Sequence, residues 1–255
     1  MHTSKRDQDI HAVVLCAGSG RRLHPLTEDR PKCLLEIRGK TLLEYTVDAL
    51  KRHGIQDIWI VSGFREDAVR KLAAEKKWDR IHFVTNDRYH HTNTAFSLHL
   101  ALKEFQADFI LLNGDVLFDH RILKDLLSHP GKNCVVVDDR HELDEEDVKV
   151  TVFGKRVKNI GKELDPGQSL GEAIGINKIS RDFGQRLTEV YGRLENKREL
   201  QHFFEKGFDE LCRRNGHMDV VTAGFDWIEI DTPEDFQRAV SEVFLRIYEK
   251  TGENG

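Results

Sequence analysis

The chain has 255 residues, of which 39% are hydrophobic and 33% are charged, and its formal net charge at pH 7 is -5. This length accommodates one large α/β domain or two small ones, and the composition predicts a hydrophobic core rather than a disordered chain. The negative net charge argues against a nucleic-acid-binding protein, and the lack of an apolar run of about 20 residues argues against a membrane protein.

The first predicted element is a buried strand that leads into a glycine-rich loop. Residues 12–15 are apolar, and Gly18 and Gly20 follow within a few positions. Such a junction brings backbone N–H groups close to a phosphate, and Arg22 and Lys32 add two positive charges. The stretch 18–34 therefore predicts a polyphosphate site, with a solvated glycine turn as the alternative.

The spacing within this stretch excludes two common nucleotide-binding loops. A dinucleotide fingerprint needs a third glycine where the chain has Leu23. A P-loop closes with Gly-Lys-Ser or Gly-Lys-Thr, and residues 18–34 contain neither tripeptide. The first of these mismatches argues against an oxidoreductase that binds NAD.

Strands and helices alternate through residues 41–137. The apolar pattern predicts helices at 41–52, 66–77 and 94–105, and strands at 58–61, 81–85, 109–112 and 134–137. Alternation at this spacing predicts βαβ units, and hence a parallel sheet with helices on both faces.

The strand predicted at 109–112 ends in Asn113-Gly114-Asp115. Ligands of open α/β sheets bind beyond the carboxyl ends of the strands, so we expect Asp115 in the same crevice as the glycine-rich loop. The alternative is an aspartate that only forms the turn.

The pattern changes after residue 137. Residues 138–147 are strongly acidic, which is typical of a solvated loop. Short strands are predicted at 148–153 and 157–160, joined by the hairpin signal Gly154-Lys155, with another strand at 173–176. These strands predict an antiparallel insertion that closes over one side of the crevice. Helices at 181–193 and 199–214 and a strand at 219–222 follow.

The last predicted element is a closing helix. Thr232 as N-cap and Pro233 as the first helical residue predict a helix that runs to about Lys250. Just before it, Glu229 and Asp231 lie two positions apart on an extended segment and point the same way. Together with Asp115 they predict a magnesium site. Asp231 as an additional helix cap is the alternative.

The motif Gly-x-Gly-x-Arg-Leu-x-Pro-Leu-Thr-x-x-x-Pro-Lys-x-Leu, starting at Gly18, resembles the signature of nucleotidyltransferases that couple a nucleoside triphosphate to a phosphorylated sugar or alcohol. The order of the later motifs resembles that family over nearly the whole chain. The ending 229–235 and the run 86–98 are most similar to its cytidylyltransferase branch, which acts on phosphocholine, 2-aminoethylphosphonate and similar compounds.

The resemblance implies a role for each matching residue. Arg22 and Lys32 would be catalytic, with Lys32 bridging the α-phosphate and the incoming oxygen. Asp115, Glu229 and Asp231 would bind Mg²⁺. Lys162 would meet the phosphate of the acceptor and Glu172 its other end, although an exposed turn lysine and a strand-edge charge are the alternatives. The residues implied in nucleotide binding are Leu15, Ala17, Gly18, Ser19, Gly20, Arg21, Arg22, Ser62, Gly63, Asn86, Thr92, Asn93 and Gly114. Of these, Ser62, Gly63, Asn86 and Asn93 would surround the base.

We therefore predict an α/β fold with a doubly wound, mostly parallel sheet, the Rossmann-like nucleotidyltransferase fold, and a small antiparallel acceptor-binding lobe. The single domain 1–255 would comprise a nucleotide-binding core at 10–137, the lobe at 148–225, and a metal segment with the closing helix at 226–250. The predicted function is Mg²⁺-dependent transfer of CMP from CTP to a small phosphorylated or phosphonate acceptor, with release of pyrophosphate. The nucleophile is already anionic, so no general base is required.

Two alternatives stay open at this stage. One is a hexose-1-phosphate nucleotidyltransferase that uses UTP or dTTP, and the other is an inactive relative that only binds nucleotide. The acceptor is also open, since an ammonium group would need carboxylates or an aromatic cage and a sugar would need many hydrogen bonds. We expect no nucleic-acid or membrane partner, and a monomer or homodimer.

The cysteines and the N-terminal residues indicate the compartment. Cys16, Cys33, Cys134 and Cys212 are scattered without a C-x-x-C pair, which argues against a structural zinc site and a disulfide framework. Residues 1–9 lack an apolar stretch, so we expect no signal peptide there. Both observations favour a cytoplasmic protein.

Overall fold

The computed structural model describes residues 10–249. The predictions for residues 1–9 and for a helix end at Lys250 lie outside them. Within the described residues the strands are β1 His11–Cys16, β2 Glu36–Ile37, β3 Lys40–Thr41, β4 Ile58–Ser62, β5 Ile81–Thr85, β6 Phe109–Asn113, β7 Val116–Phe118, β8 Cys134–Asp138, β9 Lys149–Phe153, β10 Arg156–Gly161, β11 Gly171–Ile179, β12 Asp219–Thr222 and β13 Trp227–Glu229. The α-helices of this part of the chain are α1 Leu42–Arg52, α2 Glu66–Glu75, α3 Thr94–Leu102, α4 Arg121–Ser128, α5 Arg181–Asn196, α6 Glu205–Arg213 and α7 Pro233–Arg238.

A nine-stranded sheet forms the centre of residues 10–249, in the order β5-β4-β1-β6-β11-β8-β12-β10-β9. The four adjacent strands β5, β4, β1 and β6 are parallel to one another, as alternating strands and helices predict. Helices cover both faces of the sheet, and alternate residues of β1 therefore lie in two separate hydrophobic clusters. Val14 is in the cluster that includes α1 and α4, and Val13 is in the cluster that includes α3, α5 and α6. A strand buried on both faces is apolar throughout, and residues 12–15 have that composition. The predicted α/β fold class is confirmed.

The structure differs from the prediction in the position of β11. We expected this strand in the antiparallel insertion, but it lies inside the central sheet, antiparallel to both β6 and β8. It is nine residues long, and its register shifts between Ala173 and Asn177. At the shift, Gly175 has φ +73 and lies against Asn113, where an added Cβ would be 2.6 Å from the side-chain nitrogen. This glycine bends β11, so that its first residues pair with β9 and its later residues with β6.

A short antiparallel pair, β7 with β13, was not predicted. Each strand has three residues, which is too short for a periodic pattern to be detected. The pairing places Glu229 opposite Val116, and Ile230 N donates to Asp115 O at 3.0 Å. Two segments more than a hundred residues apart in sequence therefore meet directly beyond the end of β6.

The last helix begins as predicted. Thr232 and Asp235 form a reciprocal capping box, and Pro233 occupies the first turn. Beyond α7 the chain continues in wider, π-helical turns over Ala239–Val243 and Leu245–Glu249. The division of the domain into segments 10–137, 148–225 and 226–250 stays a prediction.

A Gly-Lys-Thr tripeptide does occur outside the phosphate-binding stretch, at Gly39-Lys40-Thr41. The structure uses it in the β2–β3 turn, where Gly39 has φ +85, and Thr41 caps α1 by accepting from Glu44 N at 3.2 Å. The glycine that would begin a P-loop falls at Leu34, so this tripeptide is not a phosphate site. None of the helices formed by residues 10–249 has the length and apolar character needed to cross a membrane.

Candidate active site

A cavity of about 1090 Å³ opens beyond the carboxyl ends of β1 and β6. Its volume is at the upper end of the range for small-molecule sites, which leaves room for two substrates. Four groups of residues line it: the glycine-rich loop, the loop before α3, the segment around β13, and the acidic region before β9. All the sequence-predicted site residues lie in its wall except Ser62 and Gly63.

The glycine-rich loop is held in shape by residues of its own motif. Gly20 has φ +62, a left-handed conformation that glycine adopts without strain. A Cβ on Gly20 would lie 2.7 Å from Lys32 Cγ and 3.2 Å from Thr27 Cγ2, so the loop passes close to both side chains. Thr27 Oγ1 donates to Gly20 O at 2.6 Å. The threonine of the motif thus fixes the loop against the lysine of the motif.

Lys32 lies between two carboxylates that come from distant parts of the chain. Its ammonium donates to Asp115 Oδ2 at 2.9 Å and also to Asp231, and Arg22 forms an ion pair with Asp231. Burial alone would lower the pKa of Lys32, since its side chain is only 17% exposed. The two carboxylates outweigh burial and raise the pKa above its usual value. Lys32 therefore stays positively charged at the point where the loop meets the carboxylates.

Asp115, Glu229 and Asp231 form a compact cluster, in which one carboxylate oxygen of each lies within 4.8 Å of the others. Burial raises the pKa of Glu229 well above its usual range, and the charges of Asp115 and Asp231 raise it further. An all-oxygen donor set of this kind suits a hard divalent cation such as Mg²⁺. The cluster exists because β7 pairs with β13, and the predicted metal ligands are thereby brought together.

The loop before α3 forms another wall of the cavity. Asn86 is buried, and its amide nitrogen donates to Thr92 Oγ1 and Ser97 Oγ, both at 3.0 Å. Asn93 caps α3 by accepting from Thr94 N at 2.8 Å. Both predicted asparagines line the cavity. However, both N–H groups of Asn86 and the side-chain oxygen of Asn93 already form hydrogen bonds within the loop and α3.

Ser62 and Gly63 are not among the residues that line the cavity, and their contact with the base stays a prediction. The Ser62 side chain is fully buried, and its backbone oxygen accepts from Asn86 N at 2.7 Å. A Cβ on Gly63 would lie 3.0 Å from Ala17 O and 2.8 Å from Asn86 O. These two residues support the loops that line the cavity.

The acidic region before β9 is part of the cavity wall, whereas the sequence favoured a solvated loop. Lys149 is 1% exposed, and its ammonium donates to the backbone oxygens of Asp144 at 2.7 Å, Asp147 at 3.0 Å and Glu145 at 3.3 Å. The segment 144–147 therefore wraps around a buried cation. Asp144, Glu146 and Asp147 line the cavity, as does Asp138 at the end of β8.

The predicted acceptor residues face this acidic region. Glu172 is 9% exposed, and its Oε2 lies 3.0 Å from His141 Nε2. Burial, followed by the charges of Asp147, Asp138 and Asp144, raises the pKa of Glu172 to about 8. Lys162 Nζ lies 3.2 Å from Glu146 Oε2 and 5.1 Å from the centre of the Phe203 ring. Both residues are thus part of the cavity and not isolated surface charges.

Several residues in the wall had no signal in the sequence. His141 lies beside Glu172, Phe203 contacts Lys162, and Trp227 Nε1 donates to Asp138 Oδ2 at 2.6 Å. Glu205, the first residue of α6, was predicted to lie within a longer helix, but residues 199–204 are not helical. Instead, their backbone oxygens at Leu200 and His202 accept from the loop and first turn of α3.

Comparisons with known proteins show what this chain is similar to. A family model described as the MobA-like NTP transferase domain matches residues 12–204. The chain is 26% identical over 253 residues to the CTP:phosphoglutamine cytidylyltransferase of Campylobacter jejuni, an alignment that covers 89% of this chain and 98% of that protein. It is 37% identical over 244 residues to the bifunctional protein GlmU of Methanococcus maripaludis, where the alignment covers 94% of this chain and 56% of the relative. The chain thus spans about half the length of that relative.

Among solved structures, the inositol-1-phosphate CTP transferase from T. maritima superposes with a TM-score of 0.80 at 24% identity, over 97% of this chain and all of that one. This match confirms the predicted nucleotidyltransferase fold.

Proposed function

The chain belongs to the MobA-like NTP transferase domain family and is a nucleotidyltransferase, and from this premise we propose that it transfers CMP from CTP to a small phosphorylated or phosphonate acceptor, with release of pyrophosphate. The observation that carries the proposal is the position of Lys32. Its ammonium lies at the junction of the glycine-rich loop and the carboxylates Asp115 and Asp231.

This arrangement suits attack by an acceptor phosphate on the α-phosphorus of a nucleoside triphosphate. The attacking oxygen is already anionic, so the enzyme has to position the reactants and neutralise charge rather than remove a proton. In our proposal, backbone N–H groups of residues 18–20 and the Arg22 guanidinium hold the triphosphate. Lys32 contacts both the α-phosphate and the incoming oxygen, where negative charge accumulates during the reaction.

We assign Asp115, Glu229 and Asp231 as the residues that would hold Mg²⁺. When bound there, the ion would supply charge neutralisation and orientation of the phosphate oxygens. Before it binds, Lys32 and Arg22 compensate part of the negative charge of this cluster.

We propose CTP rather than another nucleotide because two similar proteins are a CTP:phosphoglutamine cytidylyltransferase and an inositol-1-phosphate CTP transferase. The nucleotide would occupy the end of the cavity between the glycine-rich loop and the loop before α3. The acceptor would lie at the other end, with its phosphate near Lys162 and the rest of the molecule near Glu172. The cytoplasmic location predicted from the sequence stays part of this proposal, and the four cysteines are free thiols.

Pyrophosphate release with Mg²⁺ tests the proposal directly. CTP, UTP, dTTP, ATP and GTP would each be combined with phosphocholine, 2-aminoethylphosphonate, glycerol phosphate, inositol phosphate and glucose 1-phosphate. We expect turnover with CTP and an acceptor that is not a sugar, and its loss when the metal is chelated. Turnover only with glucose 1-phosphate and UTP or dTTP would instead establish the sugar-phosphate alternative. Nucleotide binding without turnover on any acceptor would support the inactive relative.

A further inference from the structure

A buried carboxylate with one unpaired oxygen lies in the wall of the acceptor end. Glu205 begins α6 and is 6% exposed, and it lines the same cavity as Lys162 and Glu172. Within residues 10–249, no donor lies within hydrogen-bonding distance of its Oε2. A buried carboxylate oxygen left unpaired is costly, because it loses its bonds to water without replacement.

The surroundings of Glu205 do not compensate its charge. Lys162 is the cation that acts on it, but the Lys162 ammonium lies 3.2 Å from Glu146 and over the Phe203 ring. Burial is the main effect and raises the pKa of Glu205 to about 7, while a hydrogen bond from its own backbone N–H and the charge of Lys162 oppose the rise.

The same lysine also acts on Glu172, on the other side of the acceptor end. There, Glu172 faces Asp147, Asp138 and Asp144, and the neighbouring imidazole of His141 lies 3.0 Å from it. Carboxylates from α6, from β11 and from the acidic region thus converge on one end of the cavity. Arg140 pairs with Asp138 and Lys162 with Glu146, whereas within residues 10–249 neither Glu172 nor Glu205 forms an ion pair with a lysine or arginine.

We infer that this end of the cavity binds a primary ammonium group of the acceptor, and that Glu205 is a specificity-determining residue that accepts a hydrogen bond from it. The inference rests on the proposed function, in which the phosphate or phosphonate of the same acceptor would lie between Lys162 and Lys32, with its ammonium group toward Glu172 and Glu205. Glu172 and Glu229 line the same cavity, and the charge of Glu172 acts on Glu229.

The unpaired oxygen decides between candidate acceptors. A quaternary ammonium group carries charge but has no N–H to donate to Glu205 Oε2. A sugar hydroxyl can donate but would leave the surrounding negative charge uncompensated. A primary ammonium group supplies both, with three donors and a full positive charge.

Three acceptors with the same spacer test the inference: phosphoethanolamine, phosphocholine and propyl phosphate, in which a methyl group replaces the ammonium group. With CTP and Mg²⁺, we expect kcat/KM for phosphoethanolamine to exceed that for propyl phosphate by about 100-fold or more, because an analogue without the donor leaves buried acceptors unpaired. The corresponding phosphonates, 2-aminoethylphosphonate and propylphosphonate, form a second matched pair.

The variant Glu205→Gln keeps the shape of the side chain and removes its charge. We expect it to lower kcat/KM for phosphoethanolamine by at least about 10-fold, while the KM for CTP and the rate with propyl phosphate stay unchanged. Glu189→Gln, which removes an exposed glutamate from α5, is the matched control. A merely structural role would lower the rates with all acceptors together, and that result, or equal use of phosphoethanolamine and propyl phosphate by the wild type, would overturn the inference.

Binding titrations separate this inference from the proposed function. If no acceptor released pyrophosphate, cytidylyl transfer to these acceptors would be refuted, but phosphoethanolamine and propyl phosphate could still be titrated into the wild type and the Glu205→Gln variant. Tighter binding of phosphoethanolamine that depends on Glu205 would support the ammonium site. Equal binding of the two compounds would overturn it.

Discussion

Removing the charge of Glu205 should stabilise the protein, and only at neutral to alkaline pH. Glu205 is buried, and burial raises its pKa from the usual 4.5 to about 7, against the opposing charge of Lys162. The group also faces Tyr191, whose phenol donates to Phe204 O at 2.7 Å instead of to Glu205. The folded protein therefore holds a proton on Glu205 in a pH range where the unfolded chain has lost it.

The sign and size of the effect follow from linkage. An acid whose pKa is higher in the folded state lowers the free energy of unfolding only where the unfolded chain ionises it. Below pH 4.5 this loss of stability is small, between pH 4.5 and 7 it grows, and above pH 7 it is constant. A shift of one pKa unit corresponds to about 1.4 kcal/mol, so the cost is about 3 kcal/mol at pH 8 and about 1 kcal/mol or less at pH 5. In a chain of this size the cost at pH 8 corresponds to a shift of roughly 6–12 °C in the midpoint of thermal unfolding.

The assay is thermal unfolding of the wild type, Glu205→Gln and the control Glu189→Gln at pH 5 and pH 8, without substrates. We expect Glu205→Gln to unfold near the wild-type temperature at pH 5 and at a clearly higher temperature at pH 8, and the control to match the wild type at both. A Glu205→Gln variant that is less stable than the wild type at pH 8 would refute the reasoning, because it would mean that the charge is paired in the folded protein. Higher stability with poorer use of an amine acceptor would be the trade-off typical of a binding residue.

Three further substitutions test the rest of the site. Lys32→Met should lower kcat for pyrophosphate release by about 100-fold or more, because it removes the positive charge that we propose contacts the α-phosphate. The control is Lys40→Met, which breaks an exposed ion pair with Asp48 and should retain the wild-type rate. Lys149→Met leaves three backbone oxygens without a donor, so we expect the free energy of unfolding, measured with denaturant, to fall by about 2 kcal/mol or more. The KM for the acceptor should rise while the KM for CTP does not. Unchanged stability would contradict the proposed support of segment 144–147 by Lys149. Ser62→Ala removes a buried hydroxyl that has no partner within the described residues. Both the stability and the KM for CTP should therefore stay within error of the wild type. A several-fold rise in the KM for CTP would instead indicate that Ser62 contacts the base.

The shape of the glycine-rich loop was predictable because its determinants lie close together in the sequence. Gly20, Thr27 and Lys32 fall within thirteen consecutive residues, and the loop shape depends on contacts among them. The same holds for the capping box of Thr232 and Asp235, which marks the start of α7. Both are local features, in which the residue types and their spacing nearly determine the geometry.

The strand core was predictable for a different reason. Parallel strands buried on both faces are apolar along their whole length, so residues 12–15 and 109–112 stand out wherever they pair. Pairing itself is a long-range event. The central position of β11 and the bend at Gly175 depend on contacts with β6, β8 and β9, which the composition of β11 does not reveal.

The sequence by itself determined the class of chemistry, because Gly18, Gly20, Arg22 and Lys32 form a local motif and Asp115 follows a strand end. Only the tertiary structure decided how the two ends of the cavity are built. It placed Glu229 opposite Val116, wrapped segment 144–147 around Lys149, turned Ser62 into the interior and left one oxygen of Glu205 unpaired in the cavity wall. Each of these outcomes depends on which distant segment a backbone packs against, and a residue's own neighbours in sequence do not specify that.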